Sequence, residues 1–272
     1  MPKRVLPERQ PAVANASALD PMAEDNIHVS PLAYCHGNPV MFIDPTGMTI
    51  QGNTREDAVN LVSDIRSIFK DEAFNQFRDL ITQSGKKHNG KSLEKISDEA
   101  LKLAFDGISL TEDQQALVDV VVNTINSEDK HIVEYSKGEG NISANALSAM
   151  YDGFKNLPMS VILSANGGFP VAFVKNMGGG GLTAQTQKGS YTVIVDEPSL
   201  HEYGRPLTTG HEIFGHGRSL ALGRISNDQQ HIDAIQMENL IRRVMGIKSV
   251  NDGRNHMNGK IISNPNELPG YR

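Results

Sequence analysis

The chain has one cysteine, Cys35, and no tryptophan. A single thiol excludes an internal disulfide framework and a cysteine-only metal cluster, so any metal site must draw on His, Asp or Glu. Basic excess is missing too: 26 Lys and Arg against 32 Asp and Glu leave a formal charge of -6. A binder of phosphate backbones needs the opposite balance, so nucleic acid is not an expected partner. Long apolar runs are also absent, the longest being four residues, as in Val40 to Ile43 and Val171 to Val174. A bilayer span needs about 20 apolar residues, so no membrane span is expected. The stretch from Met1 to Gln10 is charged and contains proline, with no apolar region behind it. A classical secretory signal is therefore not expected, which leaves export by another route open.

With 272 residues, 38% of them hydrophobic, the chain has enough material for a sizeable core in one or two domains. Residues 1 to about 26 mix Pro, Ala, Asn, Ser and charges without periodicity and read as a leader. From Asp20 to Met48, Asn-Pro, Asp-Pro and Thr-Gly turn signals surround short apolar pieces. From Thr54 to about Asn156 the pattern is mainly helical. Thr54 with Asp57 and Thr111 with Gln114 are capping-box starts, each followed by an apolar face. Leu101, Ala104 and Phe105 fit a short helix between them, and Ala144 to Phe154 resumes the pattern after Gly138 and Gly140. Beyond Asn156 the period becomes that of strands, at Val161 to Ser164, Val171 to Val174 and Tyr191 to Asp196. The four glycines Gly178 to Gly181 read as a hairpin tip, because no Lys-Ser or Lys-Thr follows to make a phosphate cradle.

The segment SPLAYCHGNPVMFIDPTGM, Ser30 to Met48, resembles the end of the core domain of Rhs/YD-repeat proteins. That family closes a large β-shell with a Y-x-Y-x-x-x-N-P-x-x-x-x-D-P-x-G signature. Tyr34, Asn38, Pro39, Asp44, Pro45 and Gly47 stand at matching positions, with Leu32 in place of the first aromatic. The resemblance implies cleavage near Met48 and a variable toxin domain beyond it. It also implies an Rhs core shell in a full-length precursor and a possible cognate immunity protein.

The chemistry is concentrated in TTGHEIFGHGRSLALGR, Thr208 to Arg224, and HIDAIQMENLIRRVMG, His231 to Gly246. His211, Glu212 and His216 form an HExxxH array. A hydrolytic zinc site takes two imidazoles plus one carboxylate and keeps a position for water. In the usual HExxH spacing the two histidines lie four apart, about 40° around an α-helix. Five apart, they diverge by roughly 140° on a regular helix. A π-bulge, common at functional sites, would realign them, and Gly215 is the residue expected to tolerate it. HEIFGH resembles the HExxGH variant of the dipeptidyl-peptidase III family of zinc peptidases. That resemblance implies His211 and His216 as metal ligands and Glu212 as the catalytic glutamate.

A downstream helix is expected to supply the third ligand. Ala234, Ile241, Met245 and His231 fall within about 60° of Glu238 on a helical wheel. A carboxylate in so apolar a face needs a cation or hydrogen-bonding partner. Glu238 therefore ranks first as ligand, His231 second as alternative or supporting residue, and Asp233 third. MENLIRR, Met237 to Arg243, also looks like the segment that follows the zinc helix in bacterial toxin and effector metallopeptidases. Arg243, His256, Tyr203 and Tyr271 are candidates for holding an oxyanion.

Each residue also has an ordinary structural account. Thr209 and Glu212 could form a capping box, the histidines could be satisfied core or surface residues, and Glu238 could pair with Arg242 as a solvated helix pair.

The expectation is an α+β chain in which residues 1 to 48 form a leader and Rhs core-end segment and residues 49 to 272 a toxin domain. That domain has a helical part to about residue 156, then a small β-sheet and a zincin-like active-site helix. Its expected activity is that of a zinc metallopeptidase acting on a protein or peptide, with one Zn²⁺ on His211, His216 and Glu238 and Glu212 as general base. Secretion or delivery by a specialised system is expected. Two alternatives are a toxin whose metal is structural and whose action is binding, and a nuclease using RNHMNGK, Arg254 to Lys260.

Overall fold

The computed structural model describes residues 50–85, 89–137, 141–142, 169–170, 179–186, 189–223, 227–256 and 259–270. The chain divides at Thr46, and all of these residues belong to the unit Gly47–Arg272. The leader, the Rhs-like segment, the Ala144 to Phe154 helix and the strands expected at Val161 to Ser164 and Val171 to Val174 lie outside the described residues.

The architecture is α+β. Four strands, β1 (Ile50–Gly52), β2 (Lys130–Lys137), β5 (Gly181–Thr186) and β6 (Gly189–Asp196), form a mixed sheet in the order β1-β2-β6-β5. β1, β2 and β6 are parallel, and β5 runs antiparallel to β6 at the sheet edge. A separate two-stranded pair joins β3 (Asn141–Ile142) to β4 (Phe169–Pro170). β2 falls inside the stretch that the sequence marks as mainly helical. The reason is legible in β2, where His131, Val133, Glu134 and Ser136 are all buried, so its two faces do not alternate cleanly between apolar and polar.

Both expected capping boxes form. In α1 (Arg55–Ile68), Asp57 N–H donates to Thr54 Oγ1 and Thr54 N–H donates to the Asp57 carboxylate. In α4 (Glu112–Ile125), Thr111 and Gln114 make the same exchange. Two short helices, α2 (Asn75–Leu80) and α3 (Asp98–Ala104), lie between them. Phe69 stacks edge-on against both Phe74 and Phe77 at 4.9 Å, filling the core below α1. Burying each such ring contributes about 1.5–3 kcal/mol.

After β6, α5 (Arg205–Gly210), a π-helical segment (His211–Gly217) and α6 (Arg218–Ala221) run on with right-handed helical backbone at both junctions. The long helix α7 (Asn227–Val244) packs against this run, and Ile213, Phe214, Met237, Leu240 and Ile241 join the main core there. No helix of the described residues is long and apolar enough to cross a membrane.

Candidate metal centre

The site is built on the His211–Gly217 segment, where the helical ladder widens to π pitch. A π-helix closes its hydrogen bonds from i to i+5, so residues five apart come onto one side. His211 and His216 therefore approach with ring centroids 5.0 Å apart, as the extra residue in HEIFGH requires. Gly215 has a packing reason rather than a backbone one. A Cβ on it would come within 2.8 Å of Ala234 Cα, so the absence of a side chain is what lets the π segment lie directly on α7.

The entry to the segment is fixed from below. Asp64, buried on α1, accepts from Thr209 Oγ1 at 2.8 Å, from Tyr135 OH at 3.0 Å and from Arg205 Nε at 2.9 Å. Thr209 is thus committed to Asp64 and does not cap a helix with Glu212. A buried carboxylate needs this many partners to be tolerable.

Three imidazoles converge. His211, His216 and His256 each offer a ring nitrogen, and these nitrogens all lie within 4.8 Å of one another. His216 Nε2 and His256 Nε2 face each other at 2.9 Å. Nitrogens bound to one tetrahedral zinc are about 3.4 Å apart, so sub-ångström to ångström shifts would seat an ion. The group can hold a metal ion.

Protonation suits that role. Burial, reinforced by the neighbouring histidines, pushes His216 well below the usual imidazole range and holds His256 at about 3, leaving both rings neutral with a lone pair to give. Burial also lowers His231. For His211 burial works against the charged ring, but the carboxylate of Glu238 outweighs it and the pKa is raised. Burial raises Glu212, partly offset by His211 and by the Thr183 hydroxyl.

Glu238, expected as third ligand, stands elsewhere. Its Oε2 is 2.9 Å from His211 Nδ1 and accepts from Asn251 Nδ2 at 2.9 Å, while Oε1 accepts from Arg242 Nη2 at 2.6 Å. Burial raises its pKa, but His211 and Arg242 dominate and hold it at about 2. With Glu238 beside Nδ1, the other ring nitrogen of His211 is left for a metal, the arrangement in which a carboxylate orients a metal-binding imidazole. Glu238 and Arg242 do pair, but as buried residues and not as a solvated couple.

His231 lies beside the donor group, its ring 4.7 Å from His256 and 5.2 Å from His216. Asp233 is turned away, accepting from Ser219 Oγ at 2.7 Å and Gln229 Nε2 at 2.8 Å. Arg243 is bidentate on Asp113, Tyr203 lies under the Arg242 guanidinium at 4.5 Å, and Tyr271 is outside the described residues. Of the Arg254 to Lys260 stretch, His256 belongs to the donor group, while Arg254 and Lys260 are exposed beside Asp252 and Asp228.

Glu212 is buried against β5. Thr183 Oγ1 donates to its Oε2 at 2.7 Å, and a Cβ on Gly181 would sit 2.7 Å from its Cγ. Of the four consecutive glycines, Gly181 makes room for Glu212, and Gly180 makes room for the His201 ring outside the donor group. Sequence reasoning missed Thr183 and Gly181, which a strand placed next to the HE pair would have revealed. It weighed His256 only for other roles, as oxyanion donor and nuclease residue.

Comparison with protein-family models, with curated proteins and with solved structures found no match. The reading of the site therefore rests on its own geometry.

Proposed function

We propose that the chain is a metal-dependent peptidase, with one zinc ion held by His211, His216 and His256. The observation that carries this reading is the convergence of the three imidazoles next to a buried glutamate that is not one of them. When bound, zinc lowers the pKa of water towards about 7 and polarises a carbonyl.

The chain's own residues divide the rest of the work. Glu212, adjacent to His211, takes the proton of the attacking water and passes it to the leaving amine. Thr183 occupies Oε2 and so fixes the carboxylate with Oε1 available for that proton. Burial raises the Glu212 pKa, which makes it a stronger base. Glu238 holds the His211 ring in place, and Arg242 and Asn251 hold Glu238.

The substrate fits an extended peptide. β5 is an edge strand, paired with β6 on one side and with no strand on the other among the described residues. A peptide added along that free edge would gain main-chain hydrogen bonds beside Glu212. The Rhs-like segment from Ser30 to Met48 supports a toxin or effector delivered by a specialised secretion system, with an immunity protein as cognate partner.

The test uses the full chain and a Glu212→Gln variant in a toxicity assay with parallel metal analysis. The reading predicts retained metal with toxicity reduced at least 10²-fold. Retained metal with unchanged toxicity would favour a structural ion.

A further inference from the structure

We infer that Asn239 is a positioning residue for the metal: its buried amide clamps both ends of the loop 251–265 and so holds the His256 imidazole at the donor group. The inference rests on the metal-site reading above and adds to it the residue that delivers the third ligand.

His256 is the one donor imidazole that no helix carries. His211 and His216 ride on the π segment, whereas the loop 251–265 contains no helix or strand among the described residues. Apolar packing gives that loop little support, since Ile262 is its one buried apolar side chain among those residues and Ile261 is exposed. The amide of Asn239, on α7 and only 1% exposed, supplies the hold that packing does not. Its Oδ1 accepts from Asn251 N at 2.8 Å, and its Nδ2 donates to Asn251 O and Pro265 O, each at 2.8 Å. Asn251 precedes His256 and Pro265 follows it, so a single side chain ties the two legs of the loop together. Ile262 N, donating to Asp252 O at 3.0 Å, closes the same neck from within. A surface loop of this length with its ends pinned together is a compact Ω-type loop, a frequent carrier of functional residues.

The orientation of the amide follows from its partners. A main-chain N–H can only donate, so the atom facing Asn251 N is the oxygen, and the nitrogen, with two hydrogens, meets the two carbonyls. An aspartate of the same shape would set an oxygen against both carbonyl oxygens. The clamp acts on the metal through preorganisation. A loop free at its base would have to be ordered at the moment the ion binds, and that cost would weaken binding. The neighbouring Glu238 lies beside His211 Nδ1, so two consecutive residues of MENLIRR serve two different ligands: Glu238 orients His211, and Asn239 places His256.

The test is a double-mutant cycle on the full chain, comprising wild type, Asn239→Ala, His256→Ala and the double variant. Zinc dissociation constants are read by competition with chelators chosen to span tight and weak binding. Asn239→Ala should weaken zinc binding 10–100-fold when His256 is present and by less than about 3-fold when it is absent, because no third imidazole is then left to place. Equal weakening in both backgrounds would overturn the inference, making Asn239 a support of the fold or of Glu238 instead. Unchanged affinity in Asn239→Ala would overturn it as well. A second measurement needs no variant and stands even if Asn239→Ala fails to fold. Coupling between two sites is reciprocal, so zinc must favour the clamped loop by the same factor. In the wild type, saturating zinc should slow hydrogen exchange of the Asn251 amide 10–100-fold, and exchange unaffected by zinc would overturn the inference. A wild-type chain that binds no zinc would instead overturn the metal-site reading, and this inference with it.

Discussion

Glu238 Oε2 lies 2.9 Å from His211 Nδ1, which places the carboxylate on the side of the imidazole away from the nitrogen available to a metal. The same oxygen accepts from Asn251 on the loop that leads to His256. One carboxylate on α7 therefore ties together the π segment and the loop that carry the three donor imidazoles.

Glu238→Gln should weaken metal binding 10–100-fold, the usual loss for a residue that orients a ligand. A competition titration with a chelator checks this. Abolition of binding, equal to the effect of removing a histidine, would show that Glu238 is itself a ligand.

Gly181→Ala should keep the metal but displace Glu212, because the new methyl would lie 2.7 Å from Glu212 Cγ. Toxicity should fall at least 10-fold, since small misplacements near the chemistry cost that much or more. Metal content alongside toxicity in one preparation distinguishes this outcome from loss of the site.

Gly215→Ala should destabilise the fold by about 1–3 kcal/mol, the range for overpacking a filled interface. Its Cβ would meet Ala234 Cα at 2.8 Å, which is backbone and has no side-chain freedom to yield. Urea denaturation should show a lower midpoint with an unchanged slope.

Acid should weaken the protein partly through His131, which lies buried with Nδ1 2.9 Å from Ser190 Oγ. Burial lowers its pKa from 6.5 to about 4, with Asp129 opposing and Arg218 assisting. The unfolded chain then binds a proton between those values that the folded chain refuses. The stability from this group is complete above pH 6.5, declines as pH falls and levels off below about 4, a loss of about 3 kcal/mol. In His131→Gln, the difference in unfolding free energy between pH 7 and pH 4 should shrink by that amount.

The parts of this architecture legible in the sequence are those with local causes. Thr54 with Asp57 and Thr111 with Gln114 mark helix starts because a cap needs only four consecutive residues. The five-residue spacing of His211 and His216 demanded a π-helical turn for the two rings to meet, and His211–Gly217 is π-helical. Non-local causes were not legible. Glu238 fits a ligand by its apolar helix face, and only the fold shows Arg242, Asn251 and His211 already sharing its two oxygens. His256 sits in an irregular segment whose path is set by side-chain to main-chain bonds. Asn239 Nδ2 donates to Asn251 O and Pro265 O, and Gly253 N donates to Asn251 Oδ1. Such bonds have no period for a sequence to display.

We propose that the imidazoles of His211, His216 and His256 share one divalent ion. Metal stoichiometry on the purified full chain, by elemental analysis after equilibration with zinc, tests it most directly. One zinc per chain in the wild type, falling to near zero in His256→Ala as it does in His216→Ala, is the predicted result. A His256→Ala variant that retains its full zinc complement would contradict the account.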